Sequence, residues 1–131
     1  MHPFIARIRI PARKIVYIAH PIGGDVEENV TQVSSLCKAL HSPEIIPIAP
    51  YLSFLDEKSA ETRKMGFDSN RQFFLRKMID EVWLCGPRIS PGMKEEIKWA
   101  LDLRIPVRCH NPALEPALQT ITQAFEKGEI S

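Results

Sequence analysis

VWLCGPRISPGMKEEIKWALDLRIPV, residues 82–107, reads as buried strand, tight loop, helix and following strand. At about 100° per residue, Met93, Ile97, Trp99, Ala100, Leu101 and Leu103 share one broad arc, and Lys94, Glu95, Lys98 and Asp102 fill the opposite one. Glu96 falls inside the apolar arc, whereas its neighbour Glu95 points to water. A carboxylate turned toward a sheet is costly unless it is paired. Glu96 is therefore the first functional candidate.

Working outward, Lys14–Ala19 (KIVYIA) is a continuous β-rich run of the kind buried on both faces of a parallel sheet. It leads into His20-Pro21-Ile22-Gly23-Gly24-Asp25, where Pro and a Gly pair end the strand and Asp25 can cap a helix over Val26–Leu40. That helix carries one apolar stripe: Val26, Val30, Val33, Leu36, Cys37 and Leu40. Glu44–Ala49 is the second strand, and its prolines place it near a sheet edge. Between Leu52 and Met78 the pattern predicts a helix over Asp56–Met65, a break at Gly66, and a second helix from Asp68 to Met78. Asp80–Gly86 is the third strand, Pro91–Leu103 a helix, Val107–His110 the fourth strand and Glu115–Lys127 a final helix. Residues 4–10 (FIARIRI) predict an edge strand, or an arm over 1–13 that packs on a neighbouring subunit.

Strands alternating with helices mean right-handed crossovers and a three-layer α/β sandwich, with a mainly parallel sheet of four or five strands. At 131 residues this is one domain, 1–131. Ligands of such sheets bind beyond the carboxyl ends of the strands, at a switch point in strand order. Both His20–Asp25 and Gly86–Gly92 lie at such ends.

The apolar fraction of 44% and charged fraction of 25% are those of a globular protein. A net charge of +1 without a Lys/Arg block lacks the footprint of a nucleic-acid binder, so no nucleic-acid partner is expected. No apolar run approaches the roughly 20 residues of a membrane span, and MHPFIARIRIPARK lacks a signal-peptide core. No membrane association and a cytoplasmic location are the expectations. Cys37, Cys85 and Cys109 are odd in number, widely spaced and in apolar settings, which suits reduced core thiols. Without paired His/Cys spacing, no metal site is expected, and no cofactor either.

Gly23-Gly24 before a helix can present N–H groups to an anion, or serve only as a tight turn. No G-x-G-x-x-G and no Walker lysine is present, which disfavours dinucleotide and P-loop readings. Ser90 before Pro91 is a natural N-cap and also a hydroxyl that can meet phosphate or ribose. Arg88 is a phosphate partner or a solvated loop charge. Glu96 is either a structural carboxylate, satisfied by a backbone donor or by Tyr17, or a nucleophile or base in a cleft. Phe73, Phe74 and Trp83 read as core.

YIAHPIGGD, PIAPYL and DEVWLCGPRISPGMKEEIKWA followed by IPV together resemble the nucleoside 2-deoxyribosyltransferase-like superfamily, in its small bacterial and phage branch, over residues 14–110. The most specific piece, G-M-x-x-E-I-x-x-A, is similar to the family's G-T-x-x-E-I-G-x-A block, and Glu96 takes the place of its catalytic glutamate. The resemblance implies a flavodoxin-like, Rossmann-like fold and a nucleoside or nucleotide pocket. It also implies a glutamate that attacks the anomeric carbon, releases the base and leaves a glycosyl ester for water or a second base. Tyr17, His20, Gly23, Gly24 and Asp25 fall in the first-strand loop that touches ligand. Ser90, Gly92 and Met93 fall in the loop before the glutamate, and the serine implies a nucleoside monophosphate. A homodimer is implied too. The chain departs from the pattern at Gln72, where the related hydrolases carry an aspartate; Asp68 and Asn70 lie nearby out of register. It departs again at Lys98, where the family has glycine. A nucleotide-binding or sensing module without catalysis is the alternative.

Overall fold

The computed structural model describes residues 12–55 and 59–130. The arm or edge strand expected over 1–13 therefore falls almost wholly outside the described residues. Four strands, β1 (Lys14–Ala19), β2 (Ile45–Ile48), β3 (Glu81–Leu84) and β4 (Val107–Cys109), form one parallel sheet in the order β2-β1-β3-β4. In register, Val16 faces Pro47 on one side and Glu81 on the other. Pro47, which has no N–H to give a second neighbour, sits on an edge strand as its chemistry requires.

Four helices complete the fold: α1 (Val26–Leu40), α2 (Ala60–Leu75), α3 (Pro91–Asp102) and α4 (Glu115–Glu126). Strand alternation divides the core between the two faces of the sheet. Val16 and Ile18 pack with Cys85 against Leu36, Cys37 and Leu40 of α1. Tyr17, Ala19, Val82 and Leu84 pack against Phe74 of α2, Met93, Ile97 and Ala100 of α3, and Leu118 and Ile121 of α4. One helix thus covers one face and three the other, because the chain reverses direction across the sheet after β2. The reversal leaves a crevice between the carboxyl ends of β1 and β3. The three cysteines are free thiols, and burial pushes Cys85 up to about 12. No helix among the described residues is long and apolar enough to cross a membrane.

Element ends agree with the sequence pattern to within two residues except in one region. The break expected at Gly66 is absent, and α2 runs unbroken from Ala60 to Leu75. Ser59, not Asp68, caps it, through a reciprocal capping box with Thr62. Asp68 instead pairs with Lys64 one turn back, at 2.7 Å. A glycine inside a helix costs about 1 kcal/mol. The buried stripe Gly66, Asn70 and Phe74 holds the helix against the sheet and offsets that cost.

Candidate active site

Ser90 begins α3, with its hydroxyl accepting from Met93 N at 3.2 Å and Pro91 in the first helical position. From that start the helical repeat turns Met93, Glu96, Ile97 and Ala100 toward the sheet. Glu96 ends 9% exposed, beneath the carboxyl end of β1. The Tyr17 hydroxyl donates to Glu96 Oε2. Asn70 Nδ2 donates to the Tyr17 oxygen at 2.8 Å and to Glu96 Oε2 at 3.3 Å. Since a carboxylate only accepts and the tyrosine has one hydrogen, the amide must turn its nitrogen to this pair. Asn70 Oδ1 is consequently left buried without a donor.

All the donors on Glu96 are neutral and all reach one oxygen. Among the described residues none reaches Oε1, which remains free. Burial raises Glu96 to about 7, against the opposing pull of the Tyr17 and Asn70 hydrogen bonds. Burial and the neighbouring Glu96 charge push Tyr17 well above the ordinary tyrosine range, so it stays a donor. The Tyr17 ring is wedged between Phe74 and Tyr51, at centroid distances of 4.9 and 5.8 Å, and Tyr51 donates to Ile18 O at 2.6 Å.

Glu96 opens on a cavity of about 580 Å³ at the switch point, a volume suited to a small organic ligand. His20, Gly23, Ser90, Gly92 and Met93 line it with Glu96. Tyr17 is fully buried behind the glutamate and does not reach the cavity. Gly24 and Asp25 are not brought to it either. Gly24 makes the turn at φ +89°, and the Asp25 carboxylate accepts from Glu28 N at 3.1 Å as the cap of α1. Arg88 does line the cavity, and Arg63 of α2 joins it.

Gln72 is exposed on the outer face of α2, while Asn70 holds the position facing Glu96. Lys98 does not crowd the site; its ammonium lies 2.8 Å from Glu95 and it does not line the cavity. Trp99 is 8% exposed and packs on Phe67 and Phe74, with the Arg71 guanidinium over its ring. Trp83 is remote from the cavity and stacks on His110. Among the described residues no three His, Cys, Asp or Glu side chains gather as a metal site.

Nothing in the sequence singles out Tyr51, Arg63 or Phe67, and Asn70 stands out there only as a neighbour of Gln72, out of register with the related hydrolases' acid. Asn70 is a lone amide on the stripe Gly66–Asn70–Phe74, as Glu96 is a lone carboxylate on its own stripe. Breaking the helix at Gly66 hid that stripe.

Residues 14–110 match the model of a family described as a domain of unknown function, DUF7768. The chain belongs to that family. No curated protein matches this DUF7768 member. Among solved structures it is similar to a 2-deoxyribosyltransferase from the psychrotolerant bacterium Bacillus psychrosaccharolyticus. There the TM-score is 0.56, with 22% identity over 72% of this chain and 70% of the other. It is also similar to a conserved protein from Enterococcus faecalis V583, with a TM-score of 0.53 and 19% identity over 75% of this chain and 63% of that one. At these identities the likeness is one of fold: a Rossmann-like α/β sheet shared with a deoxyribosyltransferase.

Proposed function

We propose that this DUF7768 protein binds a nucleoside or nucleoside monophosphate and cleaves its N-glycosidic bond with Glu96 as nucleophile. The supporting observation is the state of Glu96. One oxygen is held by Tyr17 and Asn70, and among the described residues nothing holds the other and no cation neutralises the pair. A carboxylate kept near pH 7 by burial, oriented by neutral donors and opening on a ligand-sized cavity, is built for reaction. In this reading Oε1 attacks the anomeric carbon, and water or a second base resolves the ester. Arg88 and the α3 N-terminus beside Ser90 offer a place for phosphate.

The test is a panel of ribo- and deoxyribonucleosides and their 5′-monophosphates, each followed for free base. Release by the wild type and its loss in Glu96→Ala, with an unchanged melting profile, is the expected result. Binding without release from any member would sink the catalytic reading.

A second reading, a nucleotide sensor, is favoured by one specific feature: the side chain facing Glu96 is the Asn70 amide, not an acid. Its signature is thermal stabilisation by ligand that survives Glu96→Gln. A homodimer and a cytoplasmic setting belong to the same proposal. Light scattering of the purified chain tests the first, and fractionation of the native cells the second.

A further inference from the structure

If Glu96 displaces a base, the electron pair of the broken bond needs a proton, and its donor must line the same cavity. The acid expected near Gln72 does not, and Asn70 is an amide. Besides Glu96, the imidazole, hydroxyl, amide and guanidinium side chains there are His20, Tyr51, Arg63, Asn70, Arg88 and Ser90, and the Trp99 indole N–H is no acid. Arginine does not give up its proton, and an amide or a serine hydroxyl is too weak an acid. Tyr51 is pushed up by burial, and its hydrogen is committed to Ile18 O. Histidine is the side chain that exchanges a proton near neutrality.

The fold also orients this ring. His20 is 5% exposed, at the carboxyl end of β1. Its Nδ1 lies 2.6 Å from Pro21 O, and because a carbonyl only accepts, Nδ1 carries the hydrogen. Proton exchange therefore falls to Nε2, which has no partner among the described residues. The Cδ2–Nε2 edge lies against Gly86, where φ is +82° and an added Cβ would stand 3.0 Å from both ring atoms. Asn111 Nδ2 donates to Gly86 O at 2.8 Å and holds that backbone from the end of β4.

We propose that His20 is the general acid of this site, protonating the departing base through Nε2. This rests on the Glu96 reading above. The Glu96 Oε1–C1′ bond forms as the C1′–N bond breaks. The bonding pair moves onto the base, and the Nε2 proton goes to a base nitrogen. In the second half, neutral Nε2 takes a proton from the water that cleaves the ester. The charged and titratable groups sharing the cavity are Glu96 on α3, Arg88 on the β3–α3 loop, Arg63 on α2 and Tyr51 after β2.

The experiment compares the best nucleotide of the panel with a 4-nitrophenyl glycoside 5-phosphate of the same sugar, whose nitrophenolate leaves without a proton. His20→Gln and His20→Asn should lose about 10²–10⁴-fold in kcat/KM on the nucleotide and less than about tenfold on the nitrophenyl compound. Equal loss on both, or no loss on the nucleotide, overturns the assignment. The wild type supplies a readout independent of how well the variants fold. Its kcat/KM should fall at alkaline pH on the nucleotide but not on the nitrophenyl substrate. An alkaline fall on both, or on neither, overturns it as well. A wild type that cleaves neither compound removes the Glu96 reading itself, and this one with it.

Discussion

Two buried glutamates occupy opposite ends of the same sheet. Glu81, at the start of β3, is 5% exposed, and Glu96 is 9% exposed. Lys14 reaches Glu81 at 2.5 Å, Arg108 at 2.8 Å and Trp83 Nε1 at 3.0 Å, so both of its oxygens are occupied. The Lys14 and Trp83 hydrogen bonds hold its carboxyl below the usual range, against burial. Among the described residues Glu96 meets no cation and keeps one oxygen free, and burial raises it to about 7. Residue type and low exposure are shared; burial dominates at Glu96, and the partners dominate at Glu81. Cations convert a buried carboxylate into a fixed part of the frame. Neutral donors aim it and leave it reactive.

The largest difference should appear in turnover. Glu96→Gln is expected to cut base release by at least about 10³-fold, while Glu81→Gln leaves it within about twofold. Comparable losses in the two variants would erase the distinction.

Stability should move in opposite directions. The folded pKa of Glu96 lies above its ordinary 4.5, so the native state holds a proton that the unfolded chain releases. Stability then falls as pH rises from about 4.5 to about 7, by about 3 kcal/mol. Urea melts of Glu96→Gln should lose this slope and show the gain above pH 7. Glu81 has the opposite sign, because its folded pKa is lowered. Its contribution is present above the ordinary carboxylate pKa and is lost as pH falls through the folded value. Lys14 and Arg108 are 58% and 65% exposed, so solvent screening limits the cost of Glu81→Gln to about 1–2 kcal/mol at pH 7.

Tyr17→Phe sharpens the contrast by removing a donor that lowers Glu96. On the nitrophenyl substrate, which needs no acid, the acidic limb of the rate profile should move to higher pH, with about tenfold less activity at pH 7 and recovery near pH 9. An unshifted limb would mean that the Tyr17 hydroxyl does not set the glutamate. The smallest effect belongs to the rim. Arg88→Ala should weaken nucleoside monophosphates about tenfold while sparing the free nucleosides, read by calorimetry.

The Glu96 candidacy was legible because a helix imposes a strict period, and a carboxylate out of phase with its neighbours stands out. The strands β1 and β3 and the helices α1 and α3 were legible for the same reason. Their apolar runs and caps, Asp25 and Ser90, agree with one another. Asn70 was not legible, because a local rule about Gly66 conflicted with the packing that carries α2 through it. Propensity acts over a few residues, whereas burying Phe74 against Tyr17 joins segments far apart in the chain. Gly24 and Asp25, expected at the ligand, do not line the cavity. Both lie in that loop, where Gly24 makes the turn and Asp25 caps α1.

The sequence by itself determined that the chain alternates strand and helix, that its sheet is parallel, and that a lone glutamate faces the core of α3. Those features follow from periodicity and local hydrogen-bonding chemistry. The sequence offered Tyr17 as one partner of Glu96, and only the tertiary structure decided that Glu96 meets it, together with Asn70. The crossing after β2 brings Tyr17 from β1 and Asn70 from α2 onto one oxygen, seats His20 against Gly86, and sends Lys14 and Arg108 to Glu81 instead. Contacts between segments 26 to 79 positions apart are set by how layers stack, and no local pattern in the chain encodes them.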